Sequence, residues 1–150
     1  MTVKLGQVHP NSLPTSDPMY PIVGEVLWQW REQACEQAIT AGIDPIEVDW
    51  LLRTWTNLDS LQMRLGLFRT TTIAAAIAFA DMQTQWQRRL VERVPVQYLT
   101  GVAPWREFTL MVSPSVLIPR PETECLIDLA VQAVTAKPEL ATGTWVDLGT

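Results

Sequence analysis

The hydrophobic pattern changes its period partway along the chain, and this change most limits the possible folds. Over residues 22–94 apolar residues recur three and four positions apart, which is typical of amphipathic helices. Within residues 95–118 the period changes, since Phe108, Leu110 and Val112 recur at every second position, which is typical of a half-buried strand. We therefore expect a compact bundle of short helices followed by a β-hairpin.

Turn and capping residues divide the helical zone. Asp44 is placed to cap a second helix, with Pro45 in its first turn and Glu47 completing a capping box. Gly66 is expected to end a third helix in the left-handed conformation, and residues 70–94 read as a further helical stretch. The apolar residues that define the first three helices are Val23, Val26, Leu27, Trp30, Ala34 and Ala38, then Val48, Leu51, Leu52 and Trp55, then Leu58, Leu61 and Leu65.

The alternating zone predicts two strands that form a hairpin. Phe108, Leu110 and Val112 alternate with polar or flexible residues, and residues 116–118 form a second apolar run after the turn residues 113–115. We expect these two runs to pair.

The last zone predicts the opening elements of an α/β domain. A helix is expected from about Pro121, with an apolar face formed by Leu126, Leu129, Ala130, Ala133 and Val134. Residues 144–150 then read as a short buried strand that runs into Gly149. A strand, a helix and a strand ending in glycine form half of a doubly wound sheet.

Composition and charge argue against several classes of protein. With 150 residues, 47% of them hydrophobic, the chain can bury a core. A net charge of −5 argues against nucleic-acid binding by a broad basic surface, because phosphate contacts need clustered lysines and arginines. The longest apolar run, residues 73–80, is far shorter than the roughly 20 residues of a membrane-spanning helix. Residues 1–21 are rich in proline and lack a signal peptide's apolar run, so we expect a mobile tail and a cytoplasmic protein.

Cysteine and histidine content argues against disulfide and metal sites. Cys35 and Cys125 lie far apart within apolar helical patterns, which suits two buried, reduced thiols. His9, the only histidine, lies in the tail, so we expect neither a histidine-based metal site nor a Ser-His triad.

The segment at residues 118–124 carries the strongest local signal. Two prolines flank Arg120 and hold its backbone extended just before a helix start. Glu122, Thr123 and Glu124 fall in the first helical turn, where their side chains can serve the exposed amides or a ligand. From the residues alone, the segment is either a proline-stiffened helix start or a binding site.

Three motifs stand in the order and approximate spacing found in one enzyme family. They are residues 95–101 (Pro-Val-Gln-Tyr-Leu-Thr-Gly), residues 116–124 (Val-Leu-Ile-Pro-Arg-Pro-Glu-Thr-Glu) and residues 146–150 (Val-Asp-Leu-Gly-Thr). In them the chain closely resembles the peptide-chain release factor glutamine methyltransferases, with a weaker likeness over residues 22–94. The resemblance implies N5-methylation, from S-adenosylmethionine, of the glutamine in a Gly-Gly-Gln loop of release factors.

The resemblance also implies a division of the chain. Residues 1–21 are the tail, residues 22–94 a helical release-factor-binding domain, residues 95–118 a linker and β-hairpin, and residues 119–150 the start of a Rossmann-like methyltransferase domain. The family's catalytic Asn-Pro-Pro-Tyr motif does not occur in these 150 residues. We therefore expect the N-terminal portion of such an enzyme, without catalytic residues and inactive alone.

Binding roles carry over from the family by position. The residues that would contact the cofactor are Asp147, Gly149, Thr150, Arg120 and Thr123. The residues that would contact the substrate are Leu117, Pro119 and Glu122. Arg120 could equally be a strut behind the site.

Other conspicuous side chains have structural explanations. Tyr98, with Gln97, is more typical of an interface anchor whose hydroxyl binds one backbone group. Core packing is favoured over base stacking for the tryptophans of the helical zone, Trp30, Trp50, Trp55 and Trp86. A solvated helix face and a docking site for the release factor both remain open for the basic cluster, Arg88, Arg89 and Arg93.

Two further functions stay open beside the enzyme interpretation. The chain could act only as a helical adaptor for a release factor or another partner. It could also belong to a related methyltransferase acting on adenine N6 in nucleic acid, although the acidic balance and the motifs at residues 95–124 weigh against that.

Overall fold

A computed structural model describes residues 19–146 of the chain. Its elements, in order, are β1 (Tyr20–Val23), α1 (Gly24–Thr40), α2 (Ile46–Trp55), α3 (Ser60–Leu65), β2 (Thr72–Ala75), α4 (Phe79–Val91), α5 (Val96–Thr100), β3 (Val102–Trp105), β4 (Phe108–Met111), α6 (Pro121–Ala136) and a 3₁₀ helix (Pro138–Thr142). Among these residues, no helix is both long and apolar enough to cross a membrane. The architecture is a helical part followed by a hairpin and a long helix.

A two-stranded antiparallel sheet braces the helical part. β1 pairs with β2 in a register that sets Ile22 opposite Ile73. The expected tail therefore gives way to a strand at Tyr20, and residues 1–18 lie outside the described residues. The helix expected after a cap at residues 70–72 begins only at Phe79, because residues 72–75 pair as a strand. A run of alanines carries no helical period strong enough to override that pairing.

The core lies where α1, α2 and α4 meet. All four residues predicted to be buried on α2 are buried, and four of those predicted on α1 are buried as well. The buried residues of the three helices are Leu27, Trp30, Ala34 and Ala38 from α1, Val48, Leu51, Leu52 and Trp55 from α2, and Met82 and Trp86 from α4. Val23 and Val26 were wrongly placed on that face, since they are 57% and 43% exposed. Val23 follows Ile22 in β1 and so points to the opposite face of the strand. Val26 lies one position before Leu27 and so falls outside the buried face of α1.

Helix ends follow the predicted chemistry in part. Asp44 Oδ1 accepts a 3.0 Å hydrogen bond from the Ile46 amide, as expected for a cap. The capping box fails there, because the Glu47 carboxylate binds Arg89 instead. A complete box occurs at Asp59 and Gln62, before α3.

The third helix has the predicted end but a different buried face. Gly66 closes α3 with a φ of 63°, as predicted. Leu61 and Leu65 are exposed, and the α3 side chain that enters the core is Met63. A helix of six residues presents too few side chains for its period to identify the buried one.

The hairpin forms with a different partner from the one predicted. β4 pairs with β3, which precedes it, through a two-residue connection between Trp105 and Phe108. Residues 116–118 form no strand, and Leu117 is 81% exposed, so the expected pairing with that run was wrong. Gly101 turns the chain out of α5 with a φ of 75° and its carbonyl accepts the Val112 amide, which continues the ladder.

Helix α6 begins at Pro121 as predicted, but none of its side chains is buried. Leu126 and Leu129 are 59% and 58% exposed, so the expected burial of that face is absent among the described residues. Residues 144–146 form no strand, against expectation, and residues 147–150 lie outside the described residues. A single strand has no backbone partners of its own, so it forms only where a neighbouring strand accepts it.

Candidate functional site

The hairpin and the start of α6 enclose an open apolar cleft of about 400 Å³. One wall consists of Trp105, Phe108 and Leu110 from β3 and β4. The other consists of Pro119 and Thr123, from the segment singled out in the sequence. The cleft therefore brings two of the predicted site residues against the hairpin.

The remaining predicted residues of this segment do not line the cleft. Arg120 is the N-terminal cap residue of α6 and is exposed, with an extended backbone, and its carbonyl accepts the Thr123 amide at 3.0 Å. Leu117 and Glu122 are also exposed. These three residues are therefore not among those that form the walls of the cleft.

The predicted cofactor loop cannot be placed. Asp147, Gly149 and Thr150 lie outside the described residues, so their relation to the cleft stays a prediction.

Arg106 joins the hairpin to α6. It occupies the first position of the two-residue hairpin connection with a φ of 51°. Its Nη1 donates to Asp128 Oδ1 at 2.8 Å and to the Glu124 carbonyl at 3.2 Å, and its backbone amide donates to Glu124 Oε1 at 3.3 Å. The hydrogen bond that Arg106 donates to Asp128 raises the pKa of Arg106, so this guanidinium stays charged.

Trp105 contributes only apolar surface to the wall of the cleft. Its indole N–H is buried and has no hydrogen-bond partner among the described residues. A buried donor without a partner is costly, so this N–H is a weak point in the packing of the hairpin.

Tyr98 anchors the segment that leads to α6. Its hydroxyl donates to the Val116 carbonyl at 2.7 Å, which is the single backbone partner expected for an interface tyrosine. This contact fixes the middle of the connection between β4 and α6.

The basic cluster of α4 is engaged within the chain. Arg89 forms two hydrogen bonds with the Glu47 carboxylate, at 2.6 and 2.8 Å, and both side chains are largely buried. Arg93 donates to the Ala41 carbonyl at the end of α1, and Arg88 contacts Gln85. These contacts favour a structural role over a docking role for the cluster.

Neither the hairpin's first strand nor the contacts made by Arg106 were predicted from the sequence. Val102–Trp105 contains a proline and shows little alternation, so no strand was expected there. The two-residue spacing between Trp105 and Phe108, both aromatic, was the available signal for a hairpin.

Comparison with curated proteins identifies a set of similar chains. The chain is 43% identical over 130 residues to a release factor glutamine methyltransferase of Synechocystis. The aligned region covers 86% of this chain and 44% of that protein. Proteins of the same name from Thermosynechococcus vestitus and Gloeobacter violaceus are 49% and 43% identical, over 85% and 81% of this chain. No protein-family model and no solved structure matches the chain.

The shared length is partial. The chain spans 40–44% of the length of these three curated relatives. It therefore corresponds to the N-terminal part of proteins of this kind.

Proposed function

Because the chain belongs to the family of release factor glutamine methyltransferases, we propose that it carries part of the machinery for methylating a release factor. In this proposal residues 22–94 bind the release factor, residues 95–118 link the two parts, and residues 119–150 open a Rossmann-like methyltransferase domain. The reaction is transfer of a methyl group from S-adenosylmethionine to N5 of the glutamine in the Gly-Gly-Gln motif, a step that serves translation termination.

The cleft between the hairpin and α6 is the observation that carries this proposal. It assembles Pro119 and Thr123 against Trp105 and Phe108 from separate parts of the sequence. A side-chain amide nitrogen is a poor nucleophile because its lone pair is delocalised, so catalysis depends on holding the amide in one orientation. An apolar wall suits that task, because it keeps water away from the reacting groups.

The residues present fit one side of a methyl-donor site. When bound, S-adenosylmethionine supplies an electrophilic methyl group on a positively charged sulfur. Thr123 and Arg120 would contact the cofactor from the α6 side, and Asp147, Gly149 and Thr150 would approach it through a tight turn. Leu117, Pro119 and Glu122 are proposed as contacts of the substrate.

The exposed apolar face of α6 supports the domain assignment. Leu126 and Leu129 on the predicted face are 59% and 58% exposed, and Ile127 and Val131 on the neighbouring side of the helix are 41% and 59% exposed. A helix that leaves such side chains in solvent suits packing against a sheet, and the relatives are more than twice as long as the shared region. We propose that this face covers the methyltransferase sheet.

The proposal makes the chain inactive on its own. The test compares the isolated chain with a fusion of the chain to the remaining part of the Synechocystis relative, using labelled S-adenosylmethionine and a purified release factor. We expect label on the release factor only with the fusion, and none when the Gly-Gly-Gln glutamine is changed to alanine. Methylation by the isolated chain at the fusion's rate would contradict the inactivity. An inactive fusion that binds the cofactor would contradict the assigned reaction.

An adaptor function is the second candidate. The helical part holds most of the buried residues and so can fold without the cofactor site. An adaptor would bind the release factor equally well with and without S-adenosylmethionine and would not support methylation in any fusion. Adenine methylation in nucleic acid is a third candidate, and label on DNA or RNA instead of protein would favour it.

The remaining features of the proposal concern location and partners. We place the reaction in the cytoplasm, with the release factor as protein substrate and without direct binding of nucleic acid or membrane. The net charge of −5 supports the exclusion of nucleic acid, because it opposes phosphate binding.

A further inference from the structure

Arg106 occupies a backbone position that favours a different residue. A two-residue hairpin connection with positive φ at its first position is usually glycine there, since a side chain crowds the backbone. Arginine at a φ of 51° is therefore conformationally unfavourable. The side chain must contribute something that glycine cannot.

The contribution is the connection to α6. No side chain of α6 is buried, so apolar packing among the described residues does little to hold this helix against the hairpin. Arg106 instead reaches two consecutive turns of α6 through Glu124 and Asp128. Only 29% of the Arg106 side chain is exposed, although its partner Asp128 is 59% exposed.

The same contact sets the width of the cleft. Trp105 precedes Arg106 on the hairpin wall, and Thr123 precedes Glu124 on the opposite wall. The hydrogen bonds of Arg106 therefore act one residue away from both walls. If they were lost, Pro119 and Thr123 could move away from Trp105 and Phe108 without breaking any buried packing.

We propose that Arg106 is a positioning residue that clamps the start of α6 onto the hairpin and so fixes the cleft for the reacting groups. The consequence for catalysis rests on the proposed function; the clamp itself does not. Because Arg106 acts through Glu124 and Asp128, it need not touch the substrate or the cofactor.

The first experiment measures the clamp in the chain as it stands, by hydrogen–deuterium exchange with mass spectrometry. Arg106→Gly is the informative variant, because glycine accepts the positive φ and keeps the hairpin connection. We expect several-fold faster exchange in peptides from residues 119–130 and unchanged exchange in the helical part. Arg64→Ala, on α3, removes one positive charge elsewhere and is the matched control.

A charge exchange tests the pairing directly. Arg106→Asp combined with Asp128→Arg restores opposite charges, and we expect slower exchange in α6 than in either single variant. Unchanged exchange in Arg106→Gly, or no recovery in the exchanged pair, would overturn the clamp.

The second experiment measures the consequence for methyl transfer in the fusion with the Synechocystis relative. We expect Arg106→Gly to lower kcat by about tenfold to a hundredfold, since small misplacements are costly in positioned reactions. KM for the release factor should stay constant, and Arg106→Lys should recover part of kcat. Unchanged kcat in an active fusion would overturn the positioning role. An inactive unsubstituted fusion would reject the proposed function, and the exchange experiment would still decide the clamp.

Discussion

Thr56 provides a sharp test of how the helical part is held together. It is 2% exposed, and among the described residues it is the buried polar residue at the end of α2. Its hydroxyl donates to the Leu52 carbonyl at 2.7 Å and accepts from the Leu58 amide at 3.2 Å. Thr56→Val keeps the shape of the side chain and removes both hydrogen bonds.

The two broken bonds have different consequences. The Leu52 carbonyl keeps a partner, because the Thr56 amide also donates to it at 2.8 Å. The Leu58 amide loses the partner that it has among the described residues, and burying an unpaired amide costs about 1–3 kcal/mol. The added methyl group returns up to about 0.8 kcal/mol of apolar burial. With that gain subtracted, we expect the free energy of unfolding to fall by about 0.2–2 kcal/mol.

Urea unfolding followed by circular dichroism measures this difference. Thr54→Val is the matched control, since its hydroxyl only donates to the Trp50 carbonyl and its loss leaves no amide unpaired. That variant should stay within about 0.5 kcal/mol of the unsubstituted chain. Thr56→Ser keeps the oxygen and should be more stable than Thr56→Val. If Thr56→Val and Thr54→Val unfolded at the same urea concentration, the reasoning from the unpaired amide would be refuted.

Three further predictions concern other parts of the chain. Gly24→Ala should lower the unfolding midpoint in urea, because its new Cβ would lie 1.9 Å from the Phe68 carbonyl oxygen, whereas Gly42→Ala, with no atom within 4 Å of its Cβ, reports only the cost of positive φ. Arg89→Ala should lower the free energy of unfolding by about 1–3 kcal/mol, because Glu47 loses its paired cation in a largely buried site. Arg88→Ala should lower it by less than about 1 kcal/mol, because the pair of Arg88 with Glu92 is exposed. Equal effects of the two variants in urea unfolding would contradict this difference. Cys125 should react with iodoacetamide faster than Cys35, because Cys125 is exposed and burial raises the pKa of the Cys35 thiol. The folded state therefore favours the neutral Cys35 thiol, so the free energy of unfolding should fall as the pH rises through the pKa of Cys35 in the folded state. Faster labelling of Cys35 in mass spectrometry would count against this.

The helical part was largely predictable because its signals are local. The α2 face and the left-handed end at Gly66 follow from spacing and from single residues with one strong preference. The strand β2 was not predictable in the same way, because its existence depends on pairing with β1, about fifty residues earlier. Likewise, Glu47 is locally suited to a capping box, but Arg89 on α4 provides a stronger partner.

The cleft, too, was only partly predictable, because one of its walls depends on contacts between strands. Residues 118–124 stand out from their prolines alone, and two of them, Pro119 and Thr123, do line the cleft. The opposite wall depends on β3 pairing with β4, which no local period indicated. The role of Arg106 was not predictable for a further reason. Its neighbours in the sequence indicate neither its positive φ nor its contact with Asp128, which lies twenty-two residues later.

Most buried apolar residues lie in the helical part, and few lie in the hairpin and α6, so the two parts are held together in different ways. The continuous core ends at Val96, while beyond it the buried apolar residues of the described chain are Ala103 and Val112. The helical part can therefore hold its shape by packing, whereas the hairpin and α6 depend on hydrogen bonds such as those of Arg106 and Tyr98. Polar contacts at exposed positions are weaker and more sensitive to salt than a packed core. The geometry of the cleft therefore depends on these polar contacts rather than on a packed core, which is why the proposed methyl transfer should be assayed in the fusion and not in the chain alone.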